Sequence, residues 1–272
     1  MRINFETLAW LILVISGAIS GGVILEGCSK GGGINIFTVE DDIKLGKQLQ
    51  QEIAGDPAKY PILDPNRHSL AYQHLNRMRD IILNSGKVKF KNKFEWDLKI
   101  IKDDNTLNAF CAPGGYIYVY TGLIRFLNKE NELAGVLGHE IAHADLRHST
   151  DRLTTAYGVD FLLQVLLGKN NNALGQIAGN LALLAYSRSN ESQADSYSVE
   201  YLCGSEYDAR GTAGFFQKLI EAGMSGRQPA FLSTHPSPEN RVENINKKWQ
   251  SLGCSGTGTF ESRYQELVRA LN

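Results

Sequence analysis

The stretch Asn131-Glu132-Leu133-Ala134-Gly135-Val136-Leu137-Gly138-His139-Glu140-Ile141-Ala142-His143-Ala144-Asp145-Leu146-Arg147-His148 decides how this chain is read. Leu133, Val136, Leu137, Ile141 and Ala144 recur at three- and four-residue spacing with no proline in the run, which predicts an amphipathic helix with a buried stripe. Gly135 and Gly138 weaken such a helix by about 1 kcal/mol each relative to alanine. With Ala142 they also let another backbone or a ligand approach closely. His139 and His143 stand at i and i+4, so both imidazoles project from one face and can reach a single ion. Neutral imidazole suits Zn2+, and Glu140 between them can take a proton from a water polarised there.

A catalytic zinc takes three protein ligands and one water. A third histidine six residues past the second is excluded, because position 149 is Ser149, and His148 lies off the face shared by His139 and His143. A glutamate from a second helix is the other source. Tyr186-Ser187-Arg188-Ser189-Asn190-Glu191-Ser192-Gln193-Ala194-Asp195 supplies one. Ser189 or Asn190 could cap the helix start, and Glu191 and Asp195 share a face one turn apart. Glu191 then becomes the third metal ligand. Asp195 accepts a hydrogen bond from the far nitrogen of a ligand histidine and fixes its tautomer. The plainer alternative is an acidic, solvated helix face.

His139 to His143 with Glu191 and Asp195, preceded by Tyr186-Ser187-Arg188, resembles the gluzincin zinc metallopeptidases of the HtpX and CAAX-prenyl-protease type. Within that group the chain is similar to the soluble periplasmic lipoprotein branch of BepA-like and LoiP-like proteases. Asn108 to Leu123, Asp208-Ala209-Arg210 with Phe215-Phe216, and Ser233-Thr234-His235-Pro236-Ser237-Pro238-Glu239-Asn240-Arg241 agree with it in order. The resemblance implies an α+β, mostly helical, zincin-type metalloprotease domain with a small antiparallel sheet beside the HExxH helix. It implies one Zn2+ per chain and hydrolysis of polypeptide substrates, among them misfolded or unassembled envelope proteins. Envelope assembly machinery is an implied partner. It also gives His235 a role as oxyanion donor or as a reversible fourth ligand that holds the enzyme shut. Arg241 becomes a carboxylate partner or a second oxyanion donor. The competing reading is an envelope chaperone or assembly factor with a structural or latched zinc site.

Tyr116, Ile117, Tyr118 and Val119 follow a Pro-Gly-Gly turn and are all β-branched or aromatic, which predicts a strand. Its edge could pair with an extended substrate by β-augmentation; an ordinary core hairpin is the alternative. Further strand is expected over Phe94 to Ile101, and helices over Val39 to Ile53 and Ser69 to Leu83. Val159–Leu167 and Ala173–Tyr186 are apolar arms flanking a turn. Neither reaches the roughly 20 apolar residues a bilayer requires. They predict a hairpin packed on the domain that covers the cleft and gates entry, against a membrane-surface contact.

The amino terminus has the shape of a signal peptide: Leu8 to Ile15 and Ala18 to Leu25 are apolar, then Glu26 interrupts before Gly27-Cys28. Residues 1–27 are therefore expected as a lipoprotein-type signal peptide and residues 28–38 as a flexible, glycine-rich lipid tether. Residues 39–272 then form a single metalloprotease domain. Leu25-Glu26-Gly27-Cys28 resembles a lipobox, with Cys28 lipidated, although Glu26 departs from the usual small residue. An uncleaved signal anchor is the alternative. By resemblance this implies a periplasm-facing lipoprotein of the bacterial envelope, anchored in the membrane by its lipid, and Ser29 points to the outer membrane. Cys203 and Cys254 each follow a helix end, where a bridge closing a loop of about 50 residues would contribute roughly 3–4 kcal/mol. Cys111 reads as a small buried hydrophobe. The net charge of -1 and the lack of basic runs argue against nucleic acid as a partner. No repeat with a period of about 34 residues is present, which favours the LoiP-like arrangement.

Overall fold

The computed structural model describes residues 35–224, 230–236 and 240–272. The expected signal peptide, Cys28, the first part of the tether and Ser237-Pro238-Glu239 lie outside the described residues.

Strands β1 (Leu98–Ile101), β2 (Ala109–Ala112) and β3 (Tyr116–Tyr120) form one sheet in the order β1-β3-β2. A turn at Pro113–Gly115, with Gly114 and Gly115 at φ 76° and 87°, folds β2 back antiparallel on β3, so that Ala109 faces Val119. On its other side β3 runs parallel to β1, with Leu98 opposite Ile117. The sheet is thus mixed, where an antiparallel one was expected. The same order corrects the substrate-strand assignment. Tyr116, Ile117, Tyr118 and Val119 lie on the central strand, whose backbone groups pair on both sides, so no peptide can add there. The first strand starts at Leu98, not Phe94. Trp96 adopts φ 48°, and Phe94 and Trp96 bury their rings 5.6 Å apart from a loop.

Alternation along the strands divides the interior in two. Ile117 and Val119 of β3, with Leu98, Ile100, Ala109 and Cys111, face one core. Tyr116, Tyr118 and Tyr120, with Ile101, Phe110 and Ala112, face the other, where Phe110 stacks on Tyr118 at 4.7 Å. The second core is closed by α1 (Val39–Gly55) and by the hairpin of α6 (Val159–Leu166) and α7 (Asn171–Asn180), through Leu45, Leu49, Leu162, Val165 and Ile177. The expected hairpin is present and packed, but its second arm stops at Asn180. A 3-10 turn, Leu181–Leu183, and an extended stretch follow.

The first core is built around α4 (Glu130–Asp145), which packs between α2 (Ser69–Leu83), α8 (Arg188–Leu202) and α9 (Gly211–Glu221). Every residue of α4 is buried, so it is a central helix and not an amphipathic one with an outer face. Its glycines explain the depth: a Cβ on Gly135 would lie 2.3 Å from the Thr212 backbone nitrogen, so α9 can approach only a glycine there. The chain leaves α4 through Arg147 in the left-handed region at φ 63° and starts α5 (His148–Tyr157) at once. Cys203 and Cys254, just past α8 and α11 (Arg241–Leu252), form a disulfide with their Cα atoms 4.8 Å apart. Cys111 is a buried free thiol.

Candidate active site

Four side chains from three places in the sequence converge: His139 and His143 from α4, Glu191 from the first turn of α8, and His235 just after the short helix α10 (Ala230–Thr234). One potential ligand atom of each lies within 4.8 Å of all the others. All four are wholly shielded from solvent, as is Glu140. Helix α8 is capped by Ser187, whose hydroxyl accepts from the Asn190 N–H, and not by Ser189 or Asn190. That start still places Glu191 and Asp195 on the face turned to α4.

The two histidines of α4 point their Nε2 atoms at one another, 3.0 Å apart. Glu191 brings Oε2 to 3.4 Å from His139 Nε2 and Oε1 to 3.3 Å from His143 Nε2. His235 donates from Nδ1 to Glu191 Oε1 at 3.1 Å. Behind His139, Asp195 Oδ1 accepts from Nδ1 at 2.9 Å, as the sequence predicts. Arg241 donates to both oxygens of Asp195, at 2.7 and 2.6 Å, and its Nη1 reaches Glu191 Oε2 at 3.0 Å. Its guanidinium also lies over the Phe216 ring. Arg241 is a carboxylate partner here, and its Nη1 also donates to the His235 carbonyl at 3.4 Å.

Burial alone would lower the basicity of His139, but the charge of Glu191 and the hydrogen bond to Asp195 outweigh it and lift its pKa to about 9. Burial wins at His143, which is held well below the usual histidine value. Burial would raise Asp195, yet Arg241 beside it keeps its carboxyl below the ordinary range. Glu191 is likewise depressed: burial would raise it, but its interactions with His235, His139 and His143 outweigh that.

The polar atoms left over test whether a metal suits this cluster. Among the described residues, both oxygens of Glu140 and Nε2 of His235 are buried without a hydrogen-bond partner. A buried unsatisfied polar group costs about 1–3 kcal/mol, so several in one place need a common explanation. Two imidazole nitrogens face each other with a carboxylate alongside, a donor set of nitrogen and oxygen that satisfies a divalent cation such as zinc. The residues fit the ion.

Two contacts were missed in the sequence. His148, five residues past His143, turns back so that its Nδ1 lies 3.1 Å from His143 Nδ1; burial lowers its pKa to about 4. Tyr186 stacks on the His143 ring at 3.6 Å and hydrogen-bonds Ser149. Tyr186 follows the 3-10 turn that lies beside β2, where the Ala182 carbonyl accepts from Asn108 and the Leu184 carbonyl from Arg152. The outer side of β2 is held by Ser149 and Arg152, both of which donate to the Cys111 carbonyl. His148 carries a signal that position alone could have given: a histidine beyond the second ligand that cannot ligate can still back one that does.

Comparison with known proteins agrees with this geometry. Residues 72–249 match the profile of Peptidase family M48. The chain is 27% identical over 237 residues to mitochondrial metalloendopeptidase OMA1 of Schizosaccharomyces pombe, covering 80% of this chain and 68% of that protein. It is 30% identical over 251 residues to the beta-barrel assembly-enhancing protease of Escherichia coli strain K12, covering 86% of this chain and 49% of that protein. Against the mitochondrial metalloendopeptidase OMA1 of Bos taurus it is 30% identical over 176 residues, 57% of this chain and 33% of that one. The chain therefore spans about half or less of the length of the Escherichia coli and bovine relatives.

Proposed function

The chain belongs to peptidase family M48, and from that premise we propose that it is a zinc-dependent endopeptidase of a bacterial cell envelope that cuts misfolded or unassembled envelope proteins. The observation that carries the reading is the buried quartet of His139, His143, Glu191 and His235 with Glu140 unpaired beside it. His139, His143 and Glu191 are the residues that would hold zinc. Bound there, it would supply a Lewis acid to polarise water and the scissile carbonyl.

The remaining work belongs to the chain. Glu140, with neither oxygen engaged, takes the proton of the attacking water and passes it to the leaving amine. Asp195 holds the Nδ1 proton of His139 and so keeps its Nε2 lone pair toward the ion. Arg241 balances the two carboxylates, so neither is drawn toward protonation. A substrate strand adds to the outer side of β2, since β3 is occupied on both sides. That side is covered by Leu181 to Tyr186 and by Ser149 and Arg152 on the Cys111 carbonyl, so entry requires these contacts to open.

A second reading rests on His235. It belongs to the same set of potential ligands and lies against Glu140, its Nε2 3.4 Å from Oε1. In that position it serves as a reversible fourth ligand that keeps the enzyme latched. His235→Ala then raises peptide hydrolysis, whereas it lowers hydrolysis if His235 only stabilises the oxyanion. The name of the Escherichia coli relative extends the proposal to proteins on the way to assembly as β-barrels, with assembly machinery as a partner. For location, a signal peptide ending at residue 27, lipid on Cys28 and anchorage at the outer membrane complete the reading. No helix among the described residues is long and apolar enough to cross a membrane.

Casein hydrolysis by the full-length protein and by Glu140→Gln, with metal content measured on both, tests the proposal. Zinc in both and cleavage by the wild type alone supports it. Zinc in both and cleavage in neither, even with His235→Ala, would favour a chaperone with a structural metal.

A further inference from the structure

The two metal-facing histidines are backed by different means. His139 has the Asp195 carboxylate on its Nδ1, whereas among the described residues the one hydrogen-bond contact of His143 Nδ1 is Nδ1 of His148, at 3.1 Å. His148 is 5% exposed and owes its place to the left-handed Arg147, which ends α4 and turns α5 so that its first side chain swings under His143. Arg147 is itself pinned by Asp42 and by the Phe37 and Thr38 carbonyls of the amino-terminal segment.

A contact between two Nδ1 atoms holds a single proton: two lone pairs repel and two N–H groups collide. With the proton on His143, its Nε2 lone pair faces Glu191 and His139, as a ligand must. With the proton on His148, the His143 proton is left on Nε2 and points into the metal cluster. A metal ligand needs its lone pair on Nε2, so the metallopeptidase reading requires the first arrangement, with His148 Nδ1 as the acceptor.

We propose that His148 is a positioning residue that accepts the Nδ1 proton of His143 and thereby fixes the tautomer and tilt in which His143 binds the metal. The two histidines of α4 are then backed separately, His139 by Asp195 and His143 by His148. This role rests on the metallopeptidase reading, and its test separates the two.

Zinc affinity is measured by chelator competition on the full-length wild type, His148→Leu and His148→Asn, with urea unfolding of each metal-free protein alongside. Asparagine places Oδ1 where histidine has Nδ1, so it keeps an acceptor; leucine fills the space without one. The expected result is a 10–100-fold loss of zinc affinity in His148→Leu, the range for such backing groups, against a loss within about threefold in His148→Asn. In the zinc-loaded wild type, the His143 Nδ1 proton should also be protected from solvent exchange by NMR. Equal zinc affinity in His148→Leu and the wild type overturns the role, as does an asparagine variant as weak as the leucine one. Should His148→Leu fail to fold, the asparagine variant and the wild-type proton decide: a freely exchanging Nδ1 proton overturns it. A wild type that takes up no zinc overturns the metallopeptidase reading and this role with it.

Discussion

Helix α4 carries two carboxylates equally sealed from solvent, Glu130 in its first turn and Glu140 about 15 Å further along. Their surroundings are opposite. Glu130 accepts from Arg77 at 2.6 Å, from Arg263 at 2.6 Å, and from the Tyr207 hydroxyl. Glu140 accepts from none of the described residues. Burial is therefore not what marks a functional carboxylate. At Glu130 the charge is compensated, and the group ties α2, α12 (Glu261–Arg269) and the loop after α8 to the start of α4. At Glu140 the lone pairs are kept free, which costs stability and leaves a base for chemistry.

The largest expected effect exchanges the two roles. Glu140→Gln should lower peptide hydrolysis by about 10³-fold, within the range for a general base, while retaining zinc. Its metal-free form should be no less stable than the wild type in urea, because neither Glu140 oxygen accepts a hydrogen bond that the amide would lose. A lowered unfolding midpoint would break the comparison.

Glu130→Gln should do the reverse, leaving hydrolysis per folded molecule unchanged. It weakens the hold on two arginines whose side chains are 34% and 26% exposed, and Arg263 keeps Glu206 at 2.9 Å, so solvent and that carboxylate take up part of the loss. A destabilisation of about 2–3 kcal/mol follows, less than for a fully enclosed pair. Urea unfolding of the zinc-free protein measures it.

The double variant sharpens the contrast, since groups this far apart with no shared partner should combine additively to within about 0.5 kcal/mol. A larger deviation would mean that the start of α4 and the catalytic cluster are mechanically coupled.

A last effect is a pH dependence to which the histidines of the catalytic cluster contribute in opposite directions. His139 has its pKa raised from 6.5 to about 9 on folding, so its contribution is complete below 6.5 and is lost as pH rises through 9. His143 and His148 are lowered, so theirs is complete above 6.5 and is lost as pH falls from there toward their folded values. The metal-free protein should be most stable near pH 6.5 and weaken on both sides. Zinc replaces the proton that His139 would give up, so loading should flatten the alkaline side; urea midpoints from pH 5 to 9 with and without zinc check it.

Much of this was legible in the sequence because the ligands repeat at helical spacing. His139, His143, Glu191 and Asp195 each sit where one turn of helix must put them. The disulfide partners could be paired from their places past helix ends. The sheet was harder: Tyr116 to Tyr120 announces a strand, but nothing in five aromatic and branched residues says whether neighbours will lie on one side or both. The segment from Phe94 to Trp96 carried strand-like residues for a different reason, that a loop buried three aromatic rings with Phe90. His148 was set aside as a ligand, and its contact with His143 was not foreseen, because its place depends on one left-handed residue, Arg147, and no periodicity encodes that turn. The depth of α4 was also hidden, because the polar residues that suggested an outer face are buried against partners far away in the chain.

The sheet that parts the two cores also parts two ways for the molecule to breathe. Amides of β3, bonded to strands on both sides, are released only when the domain as a whole opens. The α6–α7 hairpin rests on the far face of the sheet, over the second core, while α4 and α8 pack on the other. Movement of the hairpin can therefore be taken up on one face while His139, His143 and Glu191 keep their packing on the other.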